Sequence, residues 1–226
     1  LSFTGPILVQ MDFPEHNAAL TLQGPAGNLE AMLEFPAHVN AGAPTAVICH
    51  PHPPDGGSMH NKVVSTLAKA FSESGYISLR FNFRGVGQSQ GQYDHGIGEL
   101  ADCLAVLNWV QQHRLSAPIA LAGFSFGAWV ALKAAERMSP ALMVSIAPPV
   151  GFRDFSDVAR PACPWLAVQG LQDEIVDAET VIGWLERQTP RPDIIAMQQT
   201  SHFFHSQLVP LRTHVKAFLQ QHPHIA

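Results

Sequence analysis

The chain has 226 residues, 46% of them apolar and 14% charged, the composition of an ordinary globular protein and not of a disordered or low-complexity one. A net charge of −5 with scattered lysines and arginines argues against nucleic acid or an anionic membrane as partner. The length suits one domain spanning 1–226.

No apolar run approaches the length of a transmembrane helix. Leu1 to Pro6 lack the basic n-region and apolar core of a signal peptide. Cys49, Cys103 and Cys163 are odd in number and lack a metal-type spacing. Cys49 lies in a strand-like run and Cys103 in a helical pattern, so both are expected as buried thiols in a reduced, cytoplasmic setting.

Residues 7–13, 18–24 and 29–35 read as strands, with Gly24-Pro25-Ala26-Gly27-Asn28 as turn chemistry between the last two. These are expected to form an antiparallel start. From residue 45 onward strands alternate with helices. Strand 45–50 leads to helix 62–72, whose stripe is Val63, Leu67 and Phe71. Strand 77–83 precedes helix 98–113, and strand 118–123 precedes helix 126–138. Strands 141–147, 164–169 and 193–199 follow, with helices near 178–188 and 206–221. Such alternation predicts an α/β fold with a mostly parallel sheet covered on both faces. Its site is expected at the carboxyl ends of the strands.

Gly-x-Ser-x-Gly occurs twice. Gly123-Phe124-Ser125-Phe126-Gly127 lies between an apolar strand and a helix-forming run, the context of a nucleophile elbow. There a sharp turn strains the serine and lifts its hydroxyl clear of the main chain. The flanking residues must be small because strand and helix pass close together. Gly87-Gln88-Ser89-Gln90-Gly91 is followed by Gln92-Tyr93-Asp94-His95-Gly96, a turn sequence without an immediate helix. Ser125 is therefore the candidate nucleophile.

A serine hydroxyl needs a general base, itself oriented by a carboxylate. In the order Ser, acid, His, Asp173 just past strand 164–169 is the leading acid. Glu174 and Asp177 are its rivals, and a helix N-cap role suffices for Asp177. His202, first after strand 193–199, leads His205 as the base. His16, His38, His95, His113, His214, His222 and His224 read as surface residues. The oxyanion hole is expected from the backbone N–H of Phe126 and of His52, the one donor between Pro51 and Pro54. His50, His52, Asp55 and His60 resemble a metal cluster only loosely. Asp55 is three residues after His52 and is followed by glycine, so no metal or other cofactor is expected. Asn61 reads as a helix cap, Arg84 as a loop residue, and Glu99 and Asp102 as its partners or as helix caps.

Taken together, His50-Pro51-His52-Pro53, Gly56-Gly57-Ser58-Met59, Asn61-Lys62-Val63-Val64, Arg80-Phe81-Asn82-Phe83-Arg84-Gly85-Val86-Gly87, the elbow, Gln172 to Asp177 and Ser201 to His205 are an ordered set. In these the chain resembles the small bacterial α/β-hydrolases predicted to be serine hydrolases, which are related to the dienelactone hydrolases. The resemblance runs from about residue 18 onward. It implies an α/β-hydrolase fold with Ser125, Asp173 and His202 as triad. Dienelactone hydrolases use cysteine as nucleophile, and this chain has serine.

The connection from Pro148 to Ala162 is too short for an independent helical lid. An open, shallow pocket is expected, lined by His52, Met59, Phe126 and Phe203, with Met59 and Phe203 as substrate contacts. The expected partner is a small-molecule ester, cleaved through an acyl-enzyme. A thioester, a peptide bond and a non-catalytic binding role are the alternatives.

Overall fold

The computed structural model describes residues 13–40 and 42–223. The strand expected at 7–13 lies outside them except for Phe13, which is in no strand. The hairpin is β1 (Ala18–Gly24) and β2 (Gly27–Glu34), paired antiparallel from Ala18–Leu33 to Gly24–Gly27. Its turn is only Pro25-Ala26, tighter than the sequence suggested, and Gly27 supports it at φ 117°, a value costly for any residue with a Cβ.

The parallel part contains β3 (Thr45–Cys49), β4 (Ile77–Phe81), β5 (Ile119–Phe124), β6 (Leu142–Ile146), β7 (Trp165–Gly170) and β8 (Asp193–Met197). The strands form one sheet in the order β1-β2-β4-β3-β5-β6-β7-β8. β2 meets β4 antiparallel, and all pairs from β4 to β8 are parallel.

The strands β3, β4, β5, β6 and β7 are apolar along most of their length because both faces are covered. Alternate residues of β3 show the division: Val47 and Cys49 join one buried cluster, and Ala46 and Ile48 the other. Helices α1 (Lys62–Glu73) and α5 (Leu208–Gln221) cover one face, with Val63, Val64, Leu67, Phe71, Leu211, Val215 and Phe218 in its core. Helices α2 (Ile97–His113), α3 (Phe126–Met138) and α4 (Ala178–Glu186) cover the other. Each buried Leu or Phe of these stripes contributes about 1.5–3 kcal/mol relative to exposure.

Helix ends follow side-chain chemistry. Asn61 Oδ1 accepts from Val63 N at 2.9 Å and Asp177 Oδ2 from Thr180 N at 2.8 Å, each satisfying an otherwise unpaired first-turn N–H. Glu99 reaches back to the N–H groups of Asp94 and Gly96 at 2.9 and 2.6 Å. α5 starts at Leu208, two residues later than expected, and leaves His205 exposed in the turn before it. No described helix is long and apolar enough to cross a membrane.

Candidate active site

The elbow forms where β5 ends and α3 begins. Ser125 sits between them at φ 53°, ψ −121°, a conformation that L-residues rarely adopt and that is retained only where surrounding structure enforces it. Its N–H donates to the Ile146 carbonyl at 2.9 Å, and its own carbonyl accepts from Ala128 and Trp129. Both glycines are sterically required. A Cβ on Gly123 would strike the Gly127 carbonyl, and one on Gly127 would strike the Cys49 and His50 carbonyls at the end of β3.

The loops after β7 and β8 bring a carboxylate and an imidazole to this serine. His202 Nε2 lies 3.1 Å from Ser125 Oγ, and His202 Nδ1 lies 2.8 Å from Asp173 Oδ2. The two side chains are shielded from solvent, at 3% exposure for His202 and 0% for Asp173. Asp173 is held from every side. Its Oδ1 accepts from the N–H groups of Ile175 and Val176 at 3.0 and 2.8 Å, and its Oδ2 from Gln169 Nε2 at 2.9 Å. Burial pushes its carboxyl upward, but the donors of His202, Val176 and Ile175 outweigh it. The net position is below the usual carboxylate value, so the ionised form is the one the site favours.

The rivals have other work. Glu174 Oε2 accepts from the backbone N–H of His202 at 3.0 Å and so fixes the histidine loop. Asp177 caps α4. The second Gly-x-Ser-x-Gly is a structural tie: Ser89 Oγ accepts from Glu30 N at 2.9 Å and donates to the Asn82 carbonyl at 2.7 Å. Ser89 is 6% exposed and is not among the residues lining the depression beside Ser125.

The backbone N–H groups of His52 and Phe126 find no acceptor among the described residues. Both residues line the same depression as Ser125. Unpaired donors beside a strained serine are the arrangement that receives a developing oxyanion.

A solved structure from Xanthomonas campestris, the α/β serine hydrolase without lid XC6422, is 48% identical to this chain. It superposes with a TM-score of 0.90 over 93% of this chain and 97% of that one. The chain belongs to the lidless α/β serine hydrolases. An α/β serine hydrolase homologue from Coxiella burnetii is 45% identical over 91% of this chain and 99% of its own, with a TM-score of 0.87. The uncharacterized protein RP471 of Rickettsia prowazekii is 38% identical over 192 residues, 80% of this chain and 79% of that protein. Residues 27–161 match the model of the X-Pro dipeptidyl-peptidase (S15 family), and the hydrolase is a member of that family too. The matched segment includes Ser125 and ends before Asp173 and His202.

The pocket of the hydrolase has a volume of about 260 Å³ and is lined by His52, Asp55, Ser125, Phe126, Pro149, Phe152, Arg153, Ile175 and Val176. No helix lies between β6 and β7. That connection folds down instead, through Trp129 Nε1 donating to the Asp154 carbonyl at 2.9 Å and Phe155 against Trp184.

Two of the expected contacts are not in the lining. Met59 is 2% exposed; its backbone binds Asn82 Oδ1 and Arg80, which hold it in the core beneath the loop. Phe203 is 40% exposed and lies edge-on to the His202 ring at 5.2 Å, flanking the histidine on the outside. Sequence reasoning missed Pro149, Phe152, Arg153, Ile175 and Val176. Their only signal was proximity in sequence to the strand ends after β6 and β7.

His50 is not available to a metal. Its Nδ1–H is bound to the Pro51 carbonyl at 2.7 Å and its Nε2 accepts from Phe83 N at 3.0 Å. Burial pushes its pKa down to about 3, against the bond to Pro51, so it is neutral in the fold. In the pH window from about 6.5 down to 3 the unfolded chain binds a proton that the fold refuses. This site should therefore cost about 1.4 kcal/mol of stability per pH unit of acidification. Urea unfolding at pH 7, 5.5 and 4.5 should show this loss as the excess of the wild-type pH dependence over that of His50→Gln.

Proposed function

We propose that this enzyme hydrolyses small carboxylic esters through an acyl-enzyme, with Ser125 as nucleophile, His202 as base and Asp173 as its orienting carboxylate. The observation that carries the reading is the continuous line Asp173 Oδ2, His202 Nδ1, His202 Nε2, Ser125 Oγ at 2.8 and 3.1 Å, ending on a serine held in a strained elbow. With Nδ1–H donated to Asp173, Nε2 is free to take the serine proton as Oγ attacks the ester carbonyl. The N–H groups of Phe126 and His52 receive the oxyanion. His202 then protonates the departing alcohol, and the acyl-enzyme remains. Water attacks it with His202 again as base, and collapse releases the acid and Ser125. No step requires a cofactor.

The open pocket of about 260 Å³ suits a short acyl group and a soluble small-molecule partner, and the chemistry needs neither nucleic acid nor a membrane. A fluorophosphonate probe should label Ser125, located by peptide mass spectrometry, and should not label Ser125→Ala. In a series of ethyl esters the specificity constant should peak at short chains and fall once the acyl group exceeds the pocket. Absence of labelling with no ester turnover would leave a binding role instead.

A second reading is favoured by one observation, the S15 match over residues 27–161. A peptidase would use the same three side chains on an amide. Comparing an X-Pro p-nitroanilide with an ester of matched acyl group separates the two. A larger kcat/KM on the amide would replace the esterase reading.

A further inference from the structure

Resting on the esterase reading, we propose that Arg153 selects esters that carry a second, anionic group, namely a carboxylate a few bonds from the scissile carbonyl. The pocket lining holds one carboxylate, Asp55, and one guanidinium, Arg153, and the rest of the wall beside Ser125 is His52, Phe126, Pro149, Phe152, Ile175 and Val176. Arg153 is held in place but its charge is not neutralised. Its Nη1 and Nη2 donate to the His95 carbonyl at 3.1 Å and to Tyr93 Oη at 2.8 Å, both uncharged acceptors. Its guanidinium carbon lies 4.9 Å from the Phe126 ring centre and 5.5 Å from that of Trp129. No carboxylate among the described residues is within ion-pair distance of it, in contrast to Arg80, Arg84, Arg191 and Arg212.

The support is itself anchored. Tyr93 Oη is bonded to His52 Nε2 at 2.8 Å, and His52 Nδ1 to Asp55 Oδ2 at 2.7 Å. The chain Asp55, His52, Tyr93, Arg153 therefore fixes the guanidinium against the loop that also carries the His52 oxyanion donor. A planar guanidinium keeps its fork geometry for a carboxylate while it stacks on an aromatic face. Asp55 does not cancel this preference: its side chain is 81% exposed and engaged by His52, so water and salt screen it.

The test uses three ethyl esters of equal shape: monoethyl glutarate, its isopropyl isostere in place of the carboxylate, and its trimethylammonium isostere, followed by ethanol release. The wild-type enzyme should prefer the anionic ester over the neutral one by roughly ten- to a hundredfold in kcat/KM. The preference should shrink with added salt, fall to near unity in Arg153→Met and persist in part in Arg153→Lys. The ratio of two esters on one protein cancels any general loss in a variant. A wild-type ratio of one or less, a ratio unchanged in Arg153→Met, or preference for the cationic ester would overturn the proposal. If no ester is cleaved, the esterase reading fails by itself, and calorimetry of glutarate with Ser125→Ala still decides the anion site. Binding that is lost in the Ser125→Ala, Arg153→Met double variant supports it, and no binding to Ser125→Ala rejects it.

Discussion

Ser125→Ala should lower kcat/KM for a short ester by about 10⁵-fold with little change in folding. On the proposed mechanism the hydroxyl would form the covalent intermediate, so its loss would leave only what the N–H groups of Phe126 and His52 could do for direct attack by water. His202→Ala should cost nearly as much, and Asp173→Ala about tenfold less than either, because it removes an orienting partner and not a reacting atom. The double variant Ser125→Ala, His202→Ala should be hardly worse than Ser125→Ala alone, since the two act as a unit. Ser89→Ala tests the other Gly-x-Ser-x-Gly. It removes two hydrogen bonds of the loop after β4 and should leave the chemical step running. Wild-type turnover in Ser125→Ala, with loss in Ser89→Ala, would falsify the assignment.

Asp102→Ala should be strongly destabilising, at about 3–5 kcal/mol. Asp102 has no exposed side-chain surface and faces an Arg84 side chain that is 11% exposed. Its Oδ2 accepts from the Arg84 backbone N–H at 3.0 Å and from Nε at 2.9 Å, and its Oδ1 accepts from Nη2 at 2.7 Å. Truncation leaves a shielded cation and a backbone donor unpaired at once. The exposed pair Arg191–Glu186, with side chains 60% and 54% exposed, is the control, and Glu186→Ala should cost under about 1 kcal/mol. Urea unfolding of both variants gives the comparison. Equal shifts would mean that the Arg84–Asp102 pair contributes no more than a surface contact.

Most of the fold was legible because its signals are local. The stripe of Val63, Leu67 and Phe71, the two-faced apolar strands and the caps Asn61 and Asp177 depend on near neighbours in sequence. Element ends shifted by a residue or two where tertiary bonds decide them: strand 77–83 stops at Phe81, since Asn82 turns to Glu30 and Met59. The meeting of Ser125, Asp173 and His202 could be expected from chain order and topology. The pocket wall could not. Met59 looked available from its loop, yet the backbone bonds of that loop draw it inward. Arg153 gave no periodic or motif signal, and its place depends on Tyr93, which is 60 residues away in sequence. Glu174 shows a further limit: its carboxylate does serve the histidine, but through the backbone N–H, a partner no residue pattern reveals.

His202 is carried on the turn after β8, at the far edge of the sheet, whereas the elbow lies between β5 and α3 near its middle. On the proposed assignment, a molecule in which β8 opens away from β7 would keep its elbow but lose its base, so activity should fail before the fold does.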